Sequence, residues 1–475
     1  MKTNRIAKGL VALSAALALT ACGTSLGSIA DVGATTSSGT TSSAVATTAT
    51  DGSYTIHAQA DDVDYDASTA KTIALGSGNV EITEPGTYIL TGTLSNGQVI
   101  VNSSAEGKVR IVLSNASITS SSGAAIDVRA ADEVVVVLAE GTSNSLTDGS
   151  GYDTSGEDAA DAALFSMADL TIGGTGSLIV TGNTADGIAS KDGLVILGGT
   201  ITVKAADDGI RGKDYLVIQD GTLDVTSAQD GLKSTNETDA QYGDIVISGG
   251  TLTVNAGDDG AHAEGDLAIT GGTVTIAKSS EGLEGHTITI AGGSTSVTSS
   301  DDGVNASSGT GSTSGGGGGG MADDGSSLLI SGGTLTVNAS GDGLDSNGSI
   351  TISGGTTTVA GPTGNGNGSL DSNAGITYTG GTLIAAGSAG MAEAPDSGNY
   401  VQANVSAPAG ATIEVRSGDT VIATYTTIKA VANVVVASDH IVSGQSYTVT
   451  VNGSTTATVT AGQATGGGMG GGPRG

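Results

Sequence analysis

Carboxylate side chains recur at one position of a repeated sequence unit, which makes them the residues best placed to do chemistry. A Gly-Gly-Thr or equivalent turn returns about every 22 residues, a period typical of stacked solenoid units. In six of these units an acidic residue and a glycine follow the turn at a fixed offset. Because stacked units align equivalent residues, these acids are expected to form a column. They are Asp208, Asp230, Asp259, Glu281, Asp302 and Asp342.

The acidic column predicts a Ca²⁺ site, and turn chemistry is the alternative interpretation. An Asp before a Gly commonly caps a turn, which accounts for one acid per unit. Stacked like charges about 4.8 Å apart repel each other unless a cation bridges them. Oxygen ligands without thiols favour Ca²⁺ over transition metals. The predicted ligands are Asp207, Asp208, Asp230, Asp258, Asp259, His262, Glu281, Glu284, Asp301, Asp302, Asn305, Asp342 and Asp345.

A second column lies three residues after each acid and changes character along the chain. Its C-terminal half is rich in oxygen ligands, whereas Arg211 and Lys233 occupy its N-terminal half. Lys191 and Lys213 form a parallel pair beside them. One interpretation is internal ion pairing with Asp192, Asp208, Asp214 and Asp230. The other is a cationic patch that binds a carboxylated sugar chain through Lys191, Arg211, Lys213 and Lys233.

Composition excludes some partners and indicates others. The 475-residue chain has a net charge of −32, which disfavours binding to nucleic acid or to anionic lipid. It contains one Phe and no Trp, so flat aromatic platforms for neutral sugar chains are scarce. We therefore expect an acidic polysaccharide as partner, no nucleic acid, and a monomer.

The apolar pattern predicts an all-β fold, a right-handed parallel β-helix. Each unit holds two short apolar alternations, such as 267–269 and 274–276, and a third segment follows the acid-glycine pair. Three strands and three corners per coil fit this fold, and Gly-Gly permits a positive φ at one corner. A leucine-rich repeat is disfavoured because its leucine signature is missing. About a dozen coils are expected, stacked about 4.8 Å apart.

The N-terminus has the pattern of a bacterial lipoprotein signal. Lys2, Arg5 and Lys8 precede an apolar run that ends just before Cys22, the only cysteine. An ordinary signal peptide with a chance cysteine is the alternative. No other stretch of the sequence is apolar enough to span a membrane. We expect a membrane-anchored lipoprotein at the extracellular or cell-envelope surface, which contacts the membrane only through lipid on Cys22.

Shifts in composition divide the chain into segments. Residues 157–165 (EDAADAALF) have helical composition and are interpreted as a short excursion from the coils. The predicted segments are a signal peptide (1–21), a flexible Ser/Thr/Ala tether (22–52), degenerate coils with a cap (53–169), regular coils (170–390) with a Gly-rich insertion (309–320), a small β module that caps the solenoid (399–462), and a disordered tail (463–475).

Several runs resemble the secreted carbohydrate-binding β-helix proteins, a family related in fold to pectate lyases. The resemblance lies in ADDGIRGKDYLVI, DDGAHAEGDLAITGG and GDGLDSNGSITISGG, and in the C-terminal stretch GATIEVRSGDTVIATYTTIK. It implies binding of cellulose or polygalacturonate without catalysis, with Ca²⁺ in the structure.

Three functions are compatible with these patterns. The first is a surface-anchored, Ca²⁺-dependent binding protein for an acidic, pectin-like polysaccharide. The second is a polysaccharide lyase, in which Ca²⁺ acidifies the proton beside a uronate carboxylate and Arg211, Lys213 or Lys233 is the base. The third is a structural surface protein or adhesin without a glycan ligand.

Overall fold

A computed structural model describes residues 55–156, 158–308 and 322–465. Within these ranges every regular element is a β-strand, and no helix is long and apolar enough to cross a membrane. The predicted signal peptide, Cys22, the tether and the Gly-rich insertion lie outside the described residues, as does the tail from residue 466.

The strands, numbered in chain order, stack in three columns. The first contains β1 (Lys71–Leu75), β3 (Gly86–Leu94), β5 (Lys108–Thr119), β7 (Glu133–Leu138), β10 (Asp169–Gly174), β13 (Gly193–Ile196), β16 (Tyr215–Ile218), β19 (Asp244–Ile247), β22 (Asp266–Ile269), β25 (Thr287–Ile290), β28 (Ser327–Ile330), β31 (Ser349–Ile352) and β34 (Gly375–Tyr378). The second contains β8 (Ser143–Thr147), β11 (Ser177–Gly182), β14 (Thr200–Ala205), β17 (Thr222–Thr226), β20 (Thr251–Asn255), β23 (Thr273–Ser279), β26 (Ser294–Ser299), β29 (Thr334–Asn338), β32 (Thr356–Ala360) and β35 (Thr382–Gly387).

The third column is a separate 12-stranded parallel sheet. It contains β2 (Val80–Ile82), β4 (Val99–Asn102), β6 (Ile126–Ala130), β9 (Ala162–Ser166), β12 (Asp186–Ser190), β15 (Ile210–Gly212), β18 (Leu232–Ser234), β21 (Ala261–Ala263), β24 (Leu283–Gly285), β27 (Val304–Ala306), β30 (Leu344–Ser346) and β33 (Leu370–Ser372). The first two columns are joined in a 25-stranded sheet. The predicted all-β solenoid is therefore confirmed.

Apolar ladders inside the coils hold the stack together. In the third column, Ile188, Ile210 and Leu232 lie in register on successive strands, and all are fully buried.

The glycine after each acid is required by this packing. A Cβ at Gly209 would lie 2.3 Å from the Val225 Cγ1 atom of the second column. The acid-glycine pair thus marks a corner where backbone and side chain approach closely.

The helix-like composition of residues 157–165 is misleading. Ala162–Ser166 form strand β9, which pairs in parallel with β6 and β12. Leu164 is fully buried among the inward residues of the core. Tertiary packing therefore overrides the local helix propensity of this segment.

An N-terminal segment crosses the outer face of the first column. Ile56 is fully buried in a cluster that includes Val195 and Val217. The His57 Nδ1 atom lies 2.8 Å from the Tyr215 hydroxyl and 3.1 Å from an Asp169 carboxylate oxygen. These contacts cover apolar outer positions of several strands.

Antiparallel strands cover the C-terminal end of the solenoid. Strand β39 (Val431–Ser438) pairs with the last strand of the second column and with β36 (Tyr400–Ala407). A separate four-stranded sheet packs with them around a second apolar core. Its strands are β37 (Thr412–Ser417), β38 (Thr420–Thr426), β40 (Ser446–Val451) and β41 (Ser454–Thr460).

Candidate functional site

The repeated acids form a hydrogen-bonded ladder at the corner before the third column. The Asp208 N–H donates to Asp186 Oδ1 (3.2 Å), and the Asp230 N–H donates to Asp208 Oδ1 (3.1 Å). The Asp259 N–H donates in the same way to Asp230 Oδ1 (2.9 Å). The N–H groups of Glu281, Asp342 and Gly368 donate in the same way to Asp259, Asp302 and Asp342, respectively. One oxygen of each of these acceptor acids therefore caps the next coil.

The second oxygen of several acids faces the side chains that lie three residues after each acid, on strands of the third column. The strand register aligns these side chains as predicted. Arg211, Lys233 and His262 are neighbours on successive strands. The column continues through Glu284, Asn305 and Asp345 and extends to Asp371.

Arg211 is held in internal ion pairs. Its Nη2 atom lies 2.6 Å from Asp186 Oδ2 and 2.8 Å from Asp161 Oδ2, and its side chain is only 12% exposed. Lys191 reaches the same Asp161 oxygen at 2.7 Å. Burial lowers the pKa of Arg211, but the two carboxylates outweigh burial and the net shift is upward. Most of this guanidinium is therefore engaged by the protein itself.

Lys233 is paired in the same manner, whereas Lys213 has no ion pair among the residues that the structure describes. The Lys233 Nζ atom lies 2.6 Å from Asp230 Oδ2 and 3.5 Å from Asp208 Oδ2. Burial opposes its charge, but these carboxylates raise the pKa of Lys233 overall. Lys213 is exposed to solvent on the adjoining turn.

His262 marks the change from cationic to acidic side chains. Its Nδ1 atom lies 3.2 Å from Asp259 Oδ2 and 3.2 Å from Glu284 Oε2. Burial lowers the pKa of His262, but the hydrogen bond to Asp259 and the charge of Glu284 outweigh it and raise the pKa. Protonated His262 therefore neutralises part of the charge at this coil.

Two groups here bring their ligand atoms within 4.8 Å of one another. One is Asp230, Asp259 and His262, and the other is Asp259, Glu281 and Glu284. The second group consists of carboxylates alone, and carboxylates are the preferred side-chain ligands of Ca²⁺.

Beyond this point the partly buried carboxylates have no Lys or Arg partner in the part of the chain that the structure describes. Within the described residues no Lys or Arg ion pair reaches Asp302, Asp342 or Asp345. Burial raises the pKa of Asp302 to about 6 and that of Asp342 to about 7. Burial also raises the pKa of Asp345 to about 8, and the charges of the other acids add to this shift. No Lys or Arg within residues 55–156, 158–308 and 322–465 therefore neutralises this half of the site.

An amide oxygen lies among these carboxylates and suits a hard cation. Asn305 donates from Nδ2 to Glu281 Oε2 at 2.9 Å. Its Oδ1 atom is buried and has no hydrogen-bond partner in the described part of the chain. A buried oxygen without a donor is favourable only if something else, such as a cation or water, approaches it. The donor set of carboxylate and amide oxygens fits Ca²⁺.

The Asp pairs divide into two environments. Asp208 and Asp259 are buried in the ladder, and the equivalent Asp302 is partly buried. The first acid of each pair is exposed. These exposed acids are Asp207, Asp258 and Asp301. The second acid of each pair is therefore less accessible to solvent than the first, and near Gly341 the pair Asp301 and Asp302 still approaches one point, since a Cβ there would lie 2.3 Å from an oxygen of each.

A cavity of about 640 Å³ adjoins His262 and Glu284. Tyr242, Glu264 and His286 contribute to its lining. The cavity lies beside the all-carboxylate group, so a ligand in it could contact a bound cation and the protein together.

Sequence analysis missed four acids at the site. Asp186 and Asp371 carried a signal, because Asp186-Gly187 precedes Asp208-Gly209 by one period and Leu-Asp-Ser occurs at both 344–346 and 370–372. Asp161 follows no repeat. Glu393 likewise follows none, and burial raises its pKa to about 7 beside Asp371.

Comparisons with known proteins identify similar chains. Residues 76–325 match the family described as "Carbohydrate-binding domain-containing protein". A curated relative with the same description, from Acetivibrio thermocellus, is 38% identical over 137 residues, which is 28% of this chain and 47% of the relative. The chain thus spans about half the length of that relative. A solved structure, the gadolinium derivative of a polysaccharide lyase-like protein from C. thermocellum, is 28% identical with a TM-score of 0.42, over 48% of this chain and 93% of that one.

Proposed function

The chain belongs to the family of carbohydrate-binding domain-containing proteins, and on that premise we propose that it binds an acidic, pectin-like polysaccharide through bound Ca²⁺. The proposal includes no catalysis. The ion is held by the C-terminal half of the acidic columns, from Glu281 to Asp371.

The observation that carries this proposal is the change from basic to acidic side chains at His262. On its N-terminal side, Arg211 and Lys233 neutralise the acids by direct ion pairs. On its C-terminal side, acids with raised pKa values stack without a basic partner in the described residues. Mutual repulsion of these carboxylates is relieved if a divalent cation lies among them. Glu281, Glu284 and Asp345, with the free amide oxygen of Asn305, would hold it.

The net charge of −32 favours a glycan that is bound through a metal ion over a glycan that contacts the protein directly. A uronate carboxylate would be repelled by this face unless a cation lay between them. Bound Ca²⁺ keeps open coordination positions that a uronate can occupy, since the ion accepts 6–8 oxygen ligands. The cavity beside Glu284 gives room for sugar rings next to that position.

Lys191, Arg211, Lys213 and Lys233 take a secondary role in this proposal. Lys213 is exposed and can approach a ligand carboxylate directly. The other three share their charge with internal acids, so they orient the ligand more weakly. The raised pKa values of Arg211 and Lys233 make both poor general bases for a lyase reaction, which leaves Lys213 as the remaining candidate base.

Affinity gel electrophoresis in polygalacturonate tests the proposal. Migration of the wild type is expected to slow in the gel with Ca²⁺ and to recover with chelator, and methyl-esterified pectin should retard it less. The variant Asp345→Asn with Asp371→Asn should lose most of the retardation. A matched control, Asp220→Asn with Asp224→Asn, changes the same charge at two exposed positions of the solenoid and should behave like the wild type.

Two results would count against this function. Equal migration with Ca²⁺ and with chelator would show that glycan binding does not depend on Ca²⁺. Release of unsaturated uronides, seen as ultraviolet absorbance, would replace binding with lyase activity.

A further inference from the structure

A longer coil supplies one wall of the cavity that adjoins the carboxylates. The ladder acids Asp230 and Asp259 are 29 residues apart, whereas the preceding step of the ladder spans 22 residues. The additional residues form a loop between β18 and β19, at residues 236–242. Several residues of this loop line the cavity, and they include the aromatic ring of Tyr242. The cavity is therefore a product of this one extended coil.

Hydrogen bonds fix both ends of the loop to Asp214. The Asn236 Nδ2 group donates to Asp214 Oδ1 at 2.7 Å, and the Gly243 N–H donates to the Asp214 carbonyl oxygen at 2.6 Å. Asn236 Oδ1 also accepts the N–H groups of Thr238 and Asp239, each at 3.1 Å. Gly243 has a φ of 95°, which a residue with a side chain rarely adopts. The wall is therefore held in place before any ligand arrives.

Tyr242 is placed to act as a platform for a sugar ring. Its side chain is partly buried and packs against the cluster that contains Tyr215 and Val246. The same side chain lines the cavity. A side chain that is already held by packing loses little freedom when a ligand contacts it. The C–H groups on one face of a neutral sugar can stack on such a ring.

The charges of the cavity disfavour a uronate at this position. No Lys or Arg is among the described residues that line it, and its histidines are His262, which is paired with Asp259, and His286. A carboxylate brought in by a ligand would be repelled by the acids of the lining. Ionised carboxylates are hydrogen-bond acceptors only, so they suit the hydroxyl donors of a neutral sugar. The acids of the lining are Glu237, Asp244, Glu264, Asp266 and Glu284.

We propose that this cavity holds a neutral sugar ring next to a uronate that is bound through Ca²⁺. The inference rests on the proposed Ca²⁺-dependent glycan binding and narrows its ligand. In a chain where uronates and neutral sugars alternate, one carboxylate reaches the ion beside Glu284 and the adjoining ring lies against Tyr242. A chain of uronates alone fills only the first of these positions. The preferred ligand is therefore a mixed polysaccharide and not a homopolymer of uronate.

Affinity gels with two polymers, run with the full chain and Ca²⁺, test this inference. One gel contains polygalacturonate, and the other contains a polymer of alternating galacturonate and rhamnose, which the wild type should bind more tightly. Tyr242→Ala should weaken binding to the alternating polymer by about two- to tenfold, the range of an aromatic contact, and leave polygalacturonate binding unchanged. Tyr242→Phe keeps the ring and should keep the preference. Tyr65→Ala removes an exposed ring elsewhere and is the matched control.

Calorimetric titration with Ca²⁺ separates recognition of the sugar from a structural role of Tyr242. Tyr242→Ala should bind Ca²⁺ as the wild type does. If this variant loses Ca²⁺ and polygalacturonate binding together, Tyr242 supports the fold and the inference is overturned. Equal binding of the two polymers by the wild type, with dependence on Ca²⁺ intact, overturns this inference and leaves the proposed function standing. A wild type that binds neither polymer overturns both.

Discussion

At the scale of single residues, the two carboxylate oxygens of a ladder acid make different contacts. In Asp230, Oδ1 accepts the next backbone N–H and Oδ2 faces Lys233. Turn capping and cation binding are therefore not alternatives, because one carboxylate performs both. In the N-terminal half the cation is a basic side chain of the protein, and in the C-terminal half we propose that it is Ca²⁺.

Replacing Asp230 by Asn should show the cost of losing an internal pair. The amide oxygen can keep the ladder hydrogen bond, but Lys233 loses its shortest ion pair in a half-buried position. We expect the free energy of unfolding to fall by about 1–3 kcal/mol. Asp345→Asn, in chelator, should instead leave stability unchanged or raise it because repulsion is relieved. Denaturant titrations of both variants would contradict this account if they lost equal stability.

The raised pKa values predict an unusual dependence of stability on pH in the absence of Ca²⁺. Asp345, with a folded-state pKa of about 8 against an ordinary 3.8, binds its proton more tightly when folded. The free energy of unfolding should then fall as pH rises from about 4 to about 8 and level off above that. Denaturant titrations in chelator across this window would measure it. Stability that rises with pH would be the contrary result, and Asp345→Asn should flatten the curve.

At the scale of elements, the repeat period predicted the coil and the alignment of the side chains that lie three residues after each acid. It could do so because register in a solenoid follows directly from spacing along the sequence. It could not predict the partners of Arg211, since Asp161 comes from an irregular segment and Asp186 was not recognised as part of the column. It also could not predict the packing of Ile56 and His57, whose contacts join residues far apart in sequence.

The glycine after each acid provides a test of the corner geometry. In Gly209→Ala the new Cβ would meet Val225 Cγ1 at 2.3 Å and the Gly231 carbonyl oxygen at 2.5 Å. We expect this overpacking to cost about 1–3 kcal/mol in the free energy of unfolding. Gly76→Ala is the matched control, because no atom lies within 4 Å of the position that its new methyl group would take. Equal stability of the two variants in denaturant titrations would show that the corner can relax.

At the scale of the whole molecule, the solenoid keeps its surfaces chemically distinct over many coils. The third column changes from basic to acidic side chains at His262, the outer face of the second column of strands is rich in hydroxyls, and the N-terminal segment covers part of the first. We propose that lipid on Cys22 tethers these surfaces to the cell envelope. Metabolic labelling with a fatty acid should mark the wild type and not Cys22→Ala, and the variant should leave the membrane fraction. A labelled, membrane-retained variant would disprove the anchor.

Calorimetric titration with Ca²⁺ at about pH 9, where most of the acids are ionised, tests the central claim most directly. The account predicts saturable binding by the wild type, proton release that increases as the pH is lowered, and much weaker binding by Asp345→Asn with Asp371→Asn. The control Asp220→Asn with Asp224→Asn should bind as the wild type does. A wild type that takes up no Ca²⁺, or a site variant that binds it as tightly as the control, would contradict the account.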